Sequence, residues 1–193
     1  MKNIILKLAC IFIFTTSASC QVTAIVPLKS VNQPNGVYEK DLNNELPFWI
    51  GTWEGVSNKK KYTFQFVLFT QHRTNLSEAS YFYRDALMGK FKVVDLATNQ
   101  VLYDNLNATN YENYEIRFLA NRYTEYTFGF TDIESRCVNT ADFMLAKEVS
   151  ITNQIIYKNF ELSSYYEFFD CPYANRSDIP VFLPTVNLVL TKQ

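Results

Sequence analysis

The chain has 193 residues, with 18 basic and 19 acidic side chains, one histidine and 16% aromatic residues. A balance this close to neutral offers no basic field for a phosphate backbone, so no nucleic-acid partner is expected. The length suits one domain able to bury about 70% of its unfolded surface, and a lone histidine leaves little for a metal centre or His-based catalysis.

The first residues set the address. Lys2 and Lys7 flank an apolar stretch that runs to Phe14, and Ser17, Ala18 and Ser19 follow. A basic start, a short apolar centre and a small-residue exit are the parts of an export signal. The run is too short for a transmembrane helix, which needs about 20 apolar residues. Ser17-Ala18-Ser19-Cys20 resembles a bacterial lipobox, in which the thiol of the first mature residue is acylated, so residues 1–19 are expected to be a signal peptide and Cys20 the lipidation site. Ordinary cleavage that leaves Cys20 a free thiol is the competing reading, disfavoured because a lone thiol is a liability in an oxidising compartment. Removing residues 1–19 takes Lys2 and Lys7 from the basic side and nothing from the acidic side, leaving a net charge of about −3. Cys10 leaves with the signal, so Cys137 and Cys171 remain as an even pair, expected to form a disulfide. Zinc is the alternative, but no Cys-x-x-Cys spacing supports it.

Residues 20–47 carry Pro27, Pro34, Pro47 and Gly36 without a sustained period. They read as a lipid-anchored tether and lead-in, with one helical turn over residues 41–46. Residues 48–193 then read as a single β domain dominated by alternation with period two. Tyr62, Phe64, Phe66 and Leu68 share one strand face, as do Tyr126, Phe128 and Phe130, and Val186, Leu188 and Leu190. Further strands are expected over residues 80–84, 87–94, 100–104, 114–119, 148–152, 155–160 and 165–169. Turn chemistry joins them at Asn58-Lys59-Lys60, Ala97-Thr98-Asn99, Asn121-Arg122 and Thr152-Asn153-Gln154. Only residues 71–80 and 138–147 leave room for brief helices. The short spacings favour antiparallel hairpins. The fold class is therefore all-β: an up-and-down antiparallel barrel or, alternatively, a two-sheet sandwich.

Gly51-Thr52-Trp53 opens the first long strand. A glycine two residues before such a tryptophan resembles the start of lipocalins, fatty-acid-binding proteins and avidin-like barrels. That resemblance implies a tight entry at the glycine, an indole plugging the closed end of the barrel, and a basic residue of the last strand, here Lys192, covering it. The other reading makes Trp53 a plain core aromatic. A wider resemblance joins the export signal to Asp-Leu-Asn-Asn-Glu-Leu (residues 41–46), Gly-Thr-Trp-Glu-Gly (51–55), Tyr-Arg-Asp-Ala-Leu-Met-Gly-Lys-Phe (83–91) and Val-Leu-Tyr-Asp-Asn (101–105). This layout is similar to a family of small Bacteroidetes lipoproteins, which implies location and fold and no particular activity.

Catalytic and metal constellations are absent from the sequence. His72 reads as an exposed loop residue with no nucleophile assigned to it, and Gly-x-Ser-x-Gly does not occur. Asp132 with Glu134, or Asp170 beside the aromatic run 165–169, are the nearest paired-acid candidates for glycoside cleavage; ordinary loop acids are the simpler account. No calcium-loop pattern appears, and no cofactor is expected. Lys59-Lys60-Lys61 reads as a solvated hairpin tip, with contact to anionic lipid as the alternative. Trp53, Tyr62, Phe64, Phe66, Tyr126, Phe128 and Phe130 form inward faces that either fill a core or line a cavity for a small apolar ligand. The expected protein is thus exported and lipid-anchored in the bacterial cell envelope. Gln21-Val22-Thr23-Ala24 carries no acidic run, which favours the periplasm-facing side. Its partners are the membrane and either a small apolar ligand or an envelope protein.

Overall fold

The computed structural model describes residues 22–28, 34–77, 80–122, 125–132, 137, 139–148, 150–163 and 171–193. Among them the chain forms β1 (Ile25–Pro27), β2 (Tyr38–Lys40), β3 (Gly51–Ser57), β4 (Lys60–Asn75), β5 (Tyr81–Asp95), β6 (Val101–Asp104), β7 (Ile116–Arg122), β8 (Glu125–Thr131), β9 (Thr140–Lys147), β10 (Gln154–Leu162) and β11 (Leu188–Lys192). Eight of these close into a ring, β3-β4-β5-β7-β8-β9-β10-β11, with each strand antiparallel to its neighbours. The ring closes where Thr191 and Lys192 lie opposite Glu54 and Trp53. The architecture is therefore the lipocalin-like up-and-down barrel, not the sandwich.

Local chemistry explains the hairpins and the faces. Asn58 and Lys59 both have positive φ, at 50° and 61°, as the tight turn between twisted strands requires at both central positions. Tyr62, Phe64 and Phe66 are buried while Lys61, Thr63 and Gln65 are only half-buried, which is the period-two pattern of a wall with one dry side. Leu188 and Leu190 continue the inner face of β11, whereas Val186 lies before the strand and is exposed.

Three expectations are corrected. Residues 71–75 complete β4 and residues 140–147 are β9, so neither stretch is helical. In β9, Ala141, Phe143 and Leu145 point inward, but Met144 and Ala146 lie between and after them, so apolar helix-formers hide the alternation. The expected strand over 148–152 is not one among its described residues: Thr152 and Asn153 form a turn, and β10 starts only at Gln154. The stretches 80–84 and 87–94 are one strand, β5. Residues 165–169 lie outside the described residues.

β4 and β5 continue below the barrel as a two-stranded arm. A bulge between Phe69 and His72 places Gln71 at φ 51°, and buried Asp85 of β5 organises it. Its carboxylate accepts hydrogen bonds from the Tyr38 hydroxyl at 2.5 Å, the Asp41 amide at 3.0 Å and the Gln71 amide at 3.1 Å. Burial first, and then this carboxylate, push the Tyr38 phenol up to about 12. β2 pairs in parallel with β5 and β1 in parallel with β2, so the sheet takes in two short strands from the stretch read as tether and lead-in. Glu39, almost fully buried, is matched by Arg84 through Nε at 2.6 Å; such a pair is strongly destabilising to break from one side.

Candidate functional site

The seven inward aromatics predicted from alternation are brought into one cluster. Trp53, Tyr62, Phe64, Phe66, Tyr126 and Phe128 are buried, and Phe130 is partly buried against them. In a ring of eight, β4 and β9 stand on opposite walls, yet Phe64 of β4 and Phe143 of β9 have ring centroids 6.5 Å apart. Phe66 reaches Phe128 of β8 at 5.3 Å, and Phe143 stacks on Tyr157 of β10 at 4.7 Å. Rings at these separations are in contact, so side chains occupy the middle of the barrel. Burial raises the phenol pKa of both Tyr62 and Tyr157.

One end of the barrel is plugged from below. The 3-10 turn Pro47–Trp49 lies across it, with Leu46, Trp49 and Trp53 fully buried. The Trp53 indole Nε1 donates to the Trp49 carbonyl at 2.8 Å. Lys192 Nζ donates to the Phe48 carbonyl at 2.9 Å and sits 5.1 Å from the Trp53 ring centroid, so the last-strand cation does cover the indole. Gly51 has φ +118°, and a Cβ there would lie 3.3 Å from Lys192 Cε; this entry needs glycine both for its backbone and for its space.

The other end is covered by the connection from β10 to β11. Cys137 and Cys171 form the expected disulfide, with Cα atoms 4.6 Å apart. Leu183 is buried, and Phe182 stacks on Tyr103 at 5.0 Å. Beneath them the Tyr103 hydroxyl and the Asn105 amide both donate to Oε2 of buried Glu115, the latter at 2.6 Å. A groove of about 420 Å³ opens here between Tyr103, Asp104, Asp132, Tyr173 and Phe182. Asp132 is thus at a surface depression, whereas Glu134, its expected partner in acid chemistry, and Asp170, the alternative candidate, lie outside the described residues, as does Cys20.

A second surface feature is a gap in the barrel wall. Along its second edge β5 is paired in turn by β2 at Tyr83 and Arg84, by β7 at Met88 and Gly89, and by β6 at Lys92 to Val94. Between the first two partners a cleft of about 220 Å³ opens, lined by Leu28, Thr74, Arg84, Asp85, Ala86, Leu87, Met88, Tyr111, Arg117, Phe118 and Leu119. Leu87 and Phe118 belong to the core or pack against it, while Leu119 is half exposed. Arg84 is committed to Glu39 and Asp85 to its three donors. That leaves Arg117, exposed and 5.9 Å from the Tyr111 ring centroid, as the cation at the rim. The cleft can take a small apolar group with an anionic or polar end. Local alternation gave no sign of it, because it arises where one strand exchanges partners.

His72 is corrected from an exposed loop to a half-buried position on β4, where its ring stacks on Tyr111 at 3.6 Å between centroids. Burial holds its pKa below the ordinary 6.5, against the opposing pull of Glu112. The fold therefore favours neutral imidazole. Its contribution to stability is complete above about pH 6.5 and is lost as acid protonates the unfolded chain preferentially. Between pH 7.5 and 5 the wild type is expected to lose more stability than His72→Phe, as read from urea midpoints; equal losses would show that His72 titrates alike in both states. Among the described residues no group of three His, Cys, Asp or Glu side chains is placed to hold a metal ion, and no helix is long and apolar enough to cross a membrane.

No protein-family model, curated protein or solved structure matches this chain.

Proposed function

We propose that the chain is an exported protein of the bacterial cell envelope, anchored through acylated Cys20, whose barrel is a solid scaffold acting through its outer surface on another envelope component. Contact between Phe64 and Phe143 from opposite walls carries this reading. An internal ligand would have to displace rings that already occupy the space, and interiors at native packing density do not yield it cheaply. The signal-like residues 1–19, and the resemblance of residues 41–46, 51–55, 83–91 and 101–105 to small Bacteroidetes lipoproteins, support the address. No catalytic step enters the reading.

The cleft between β5 and β7 favours one second reading, a small ligand with an apolar body over Leu87 and Phe118 and an anionic end at Arg117. Native mass spectrometry of the full chain, extracted from its own membranes in mild detergent, separates the two. The scaffold reading expects the mature polypeptide with acyl mass at Cys20 and nothing else bound. A stoichiometric small molecule overturns it. Loss of that molecule in Leu119→Asp and Arg117→Ala would place it in the cleft; retention in both would place it elsewhere, in the groove beside Tyr103 or inside the barrel.

A further inference from the structure

We propose that the β4–β5 arm is a folded stalk whose tip, at Leu76, rests on the bilayer and holds the barrel above it; this rests on the reading of Cys20 as the lipid anchor. The first described residues of the mature chain are fastened to that tip. The Thr23 amide donates to the Gly36 carbonyl at 3.0 Å and its hydroxyl to the Asn35 carbonyl at 3.1 Å. Gly36 and Tyr81 are joined in turn, with the Gly36 amide on the Tyr81 carbonyl at 3.0 Å. Tyr81 lies opposite Asn75, the last pair of the arm, and Leu76 follows immediately.

Reach then decides the orientation. Two residues, Gln21 and Val22, separate Cys20 from Thr23, three steps of an extended chain that covers at most about 3.6 Å per residue. The Cα of Cys20 therefore stays within roughly 11 Å of the Thr23 Cα, and the membrane that takes the acyl chains must come close to the arm. The tip suits such a surface. Leu76 is 69% exposed and Ile25 of the neighbouring β1 is 57% exposed. The Arg73 guanidinium lies 4.3 Å from the Tyr81 ring centroid, a cation and an amphipathic ring of the kind that settle at an interface. On the β3 side of the barrel, from Phe66, opposite Gly51, to Asn75 is nine residues of β4, a stand-off of up to about 30 Å at strand rise; on the β7 side, Leu119 reaches down to line a cleft with Thr74. Asp85 makes this distance stiff, because its three hydrogen bonds tie β2, the lead-in and the bulge together.

The alternative membrane contact, the lysine hairpin, is excluded by the same geometry. Lys60 and Asn75 are the two ends of β4, about 50 Å apart at strand rise, so the hairpin points away.

The test uses full-length protein, processed in its host and reconstituted into vesicles of phosphatidylcholine and phosphatidylglycerol, with and without bromine on the acyl chains. Trp49 and Trp53 are fully buried, so the wild type supplies the background. Leu76→Trp is expected to add emission that is lost in brominated vesicles, whereas emission added by Lys59→Trp is unchanged. Quenching of the Lys59→Trp signal, or of neither, in protein that carries acyl mass and floats with the vesicles overturns the stalk while leaving the anchor intact. Protein without acyl mass overturns both.

Discussion

Phe143→Ala lowers the free energy of unfolding by about 3–5 kcal/mol, the range for removing a large buried aromatic. The ring sits where the two walls meet, touching Phe64, Phe128 and Tyr157 at centroid separations of 6.5, 5.7 and 4.7 Å. Truncation removes both its transfer energy and those contacts, and strands on three sides cannot move in to fill the void. A control on the outer face, Val189→Ala, changes stability by no more than about 0.5 kcal/mol, since Val189 is half exposed. Urea unfolding monitored by tryptophan emission measures both. A Phe143→Ala loss below about 1 kcal/mol would mean that the barrel interior is loosely filled, and the scaffold reading would lose its main support.

Replacing Cys137 and Cys171 together with serine costs about 3–4 kcal/mol. The bond closes a loop with a sequence separation of 34, and cross-linking removes that loop's freedom from the unfolded chain. The loss should be matched by reducing the wild type under unfolding conditions, and comparison of the two midpoints checks it. Because the bridge ties the connection before β11 to the end where Leu183 and Phe182 cover Tyr103, loosening should begin at that cover. An unchanged midpoint in the double variant would show that packing alone holds it.

Much of the barrel was legible because one side of its wall is dry. Period-two aromatics marked β4 and β8, and turn residues marked the joints at Asn58-Lys59, Ala97-Thr98 and Thr152-Asn153. They did not mark the β4–β5 hairpin, whose residues 71–80 read as room for a helix, nor the end of β7, where Asn121 and Arg122 are still strand. Gly51, Trp53 and Lys192 marked the plug, since close approach of a cation and an indole over a bare backbone demands those residue types. What escaped obeyed longer-range physics. β9 was masked because its outward Met144 and following Ala146 are as apolar as its inward residues. β5 was split at Asp85 because an acid in a strand reads as a break unless its three donors, two of them far along the chain, are known. The wall gap was invisible for the same reason: Arg84 and Arg117 are 33 positions apart in the numbering, and only the exchange of β2 for β7 along one edge sets them around a common opening. The parallel addition of β1 and β2 leaves no local signature, as nothing in three-residue strands names a distant partner.

The ring is sewn unevenly. Fourteen residue pairs join β4 to β5, but two pairs join β5 to β7 and two join β3 to β11. Spontaneous breathing of the wall should therefore begin at those two short seams, which divide it into a three-stranded leaf, β3 to β5, and a five-stranded leaf, β7 to β11. The aromatic stack lies between the leaves like a clasp. Any strain applied to the arm reaches the seam beside β7 first, through the same strand, so tension at the foot of the molecule would be felt at the opening in its side.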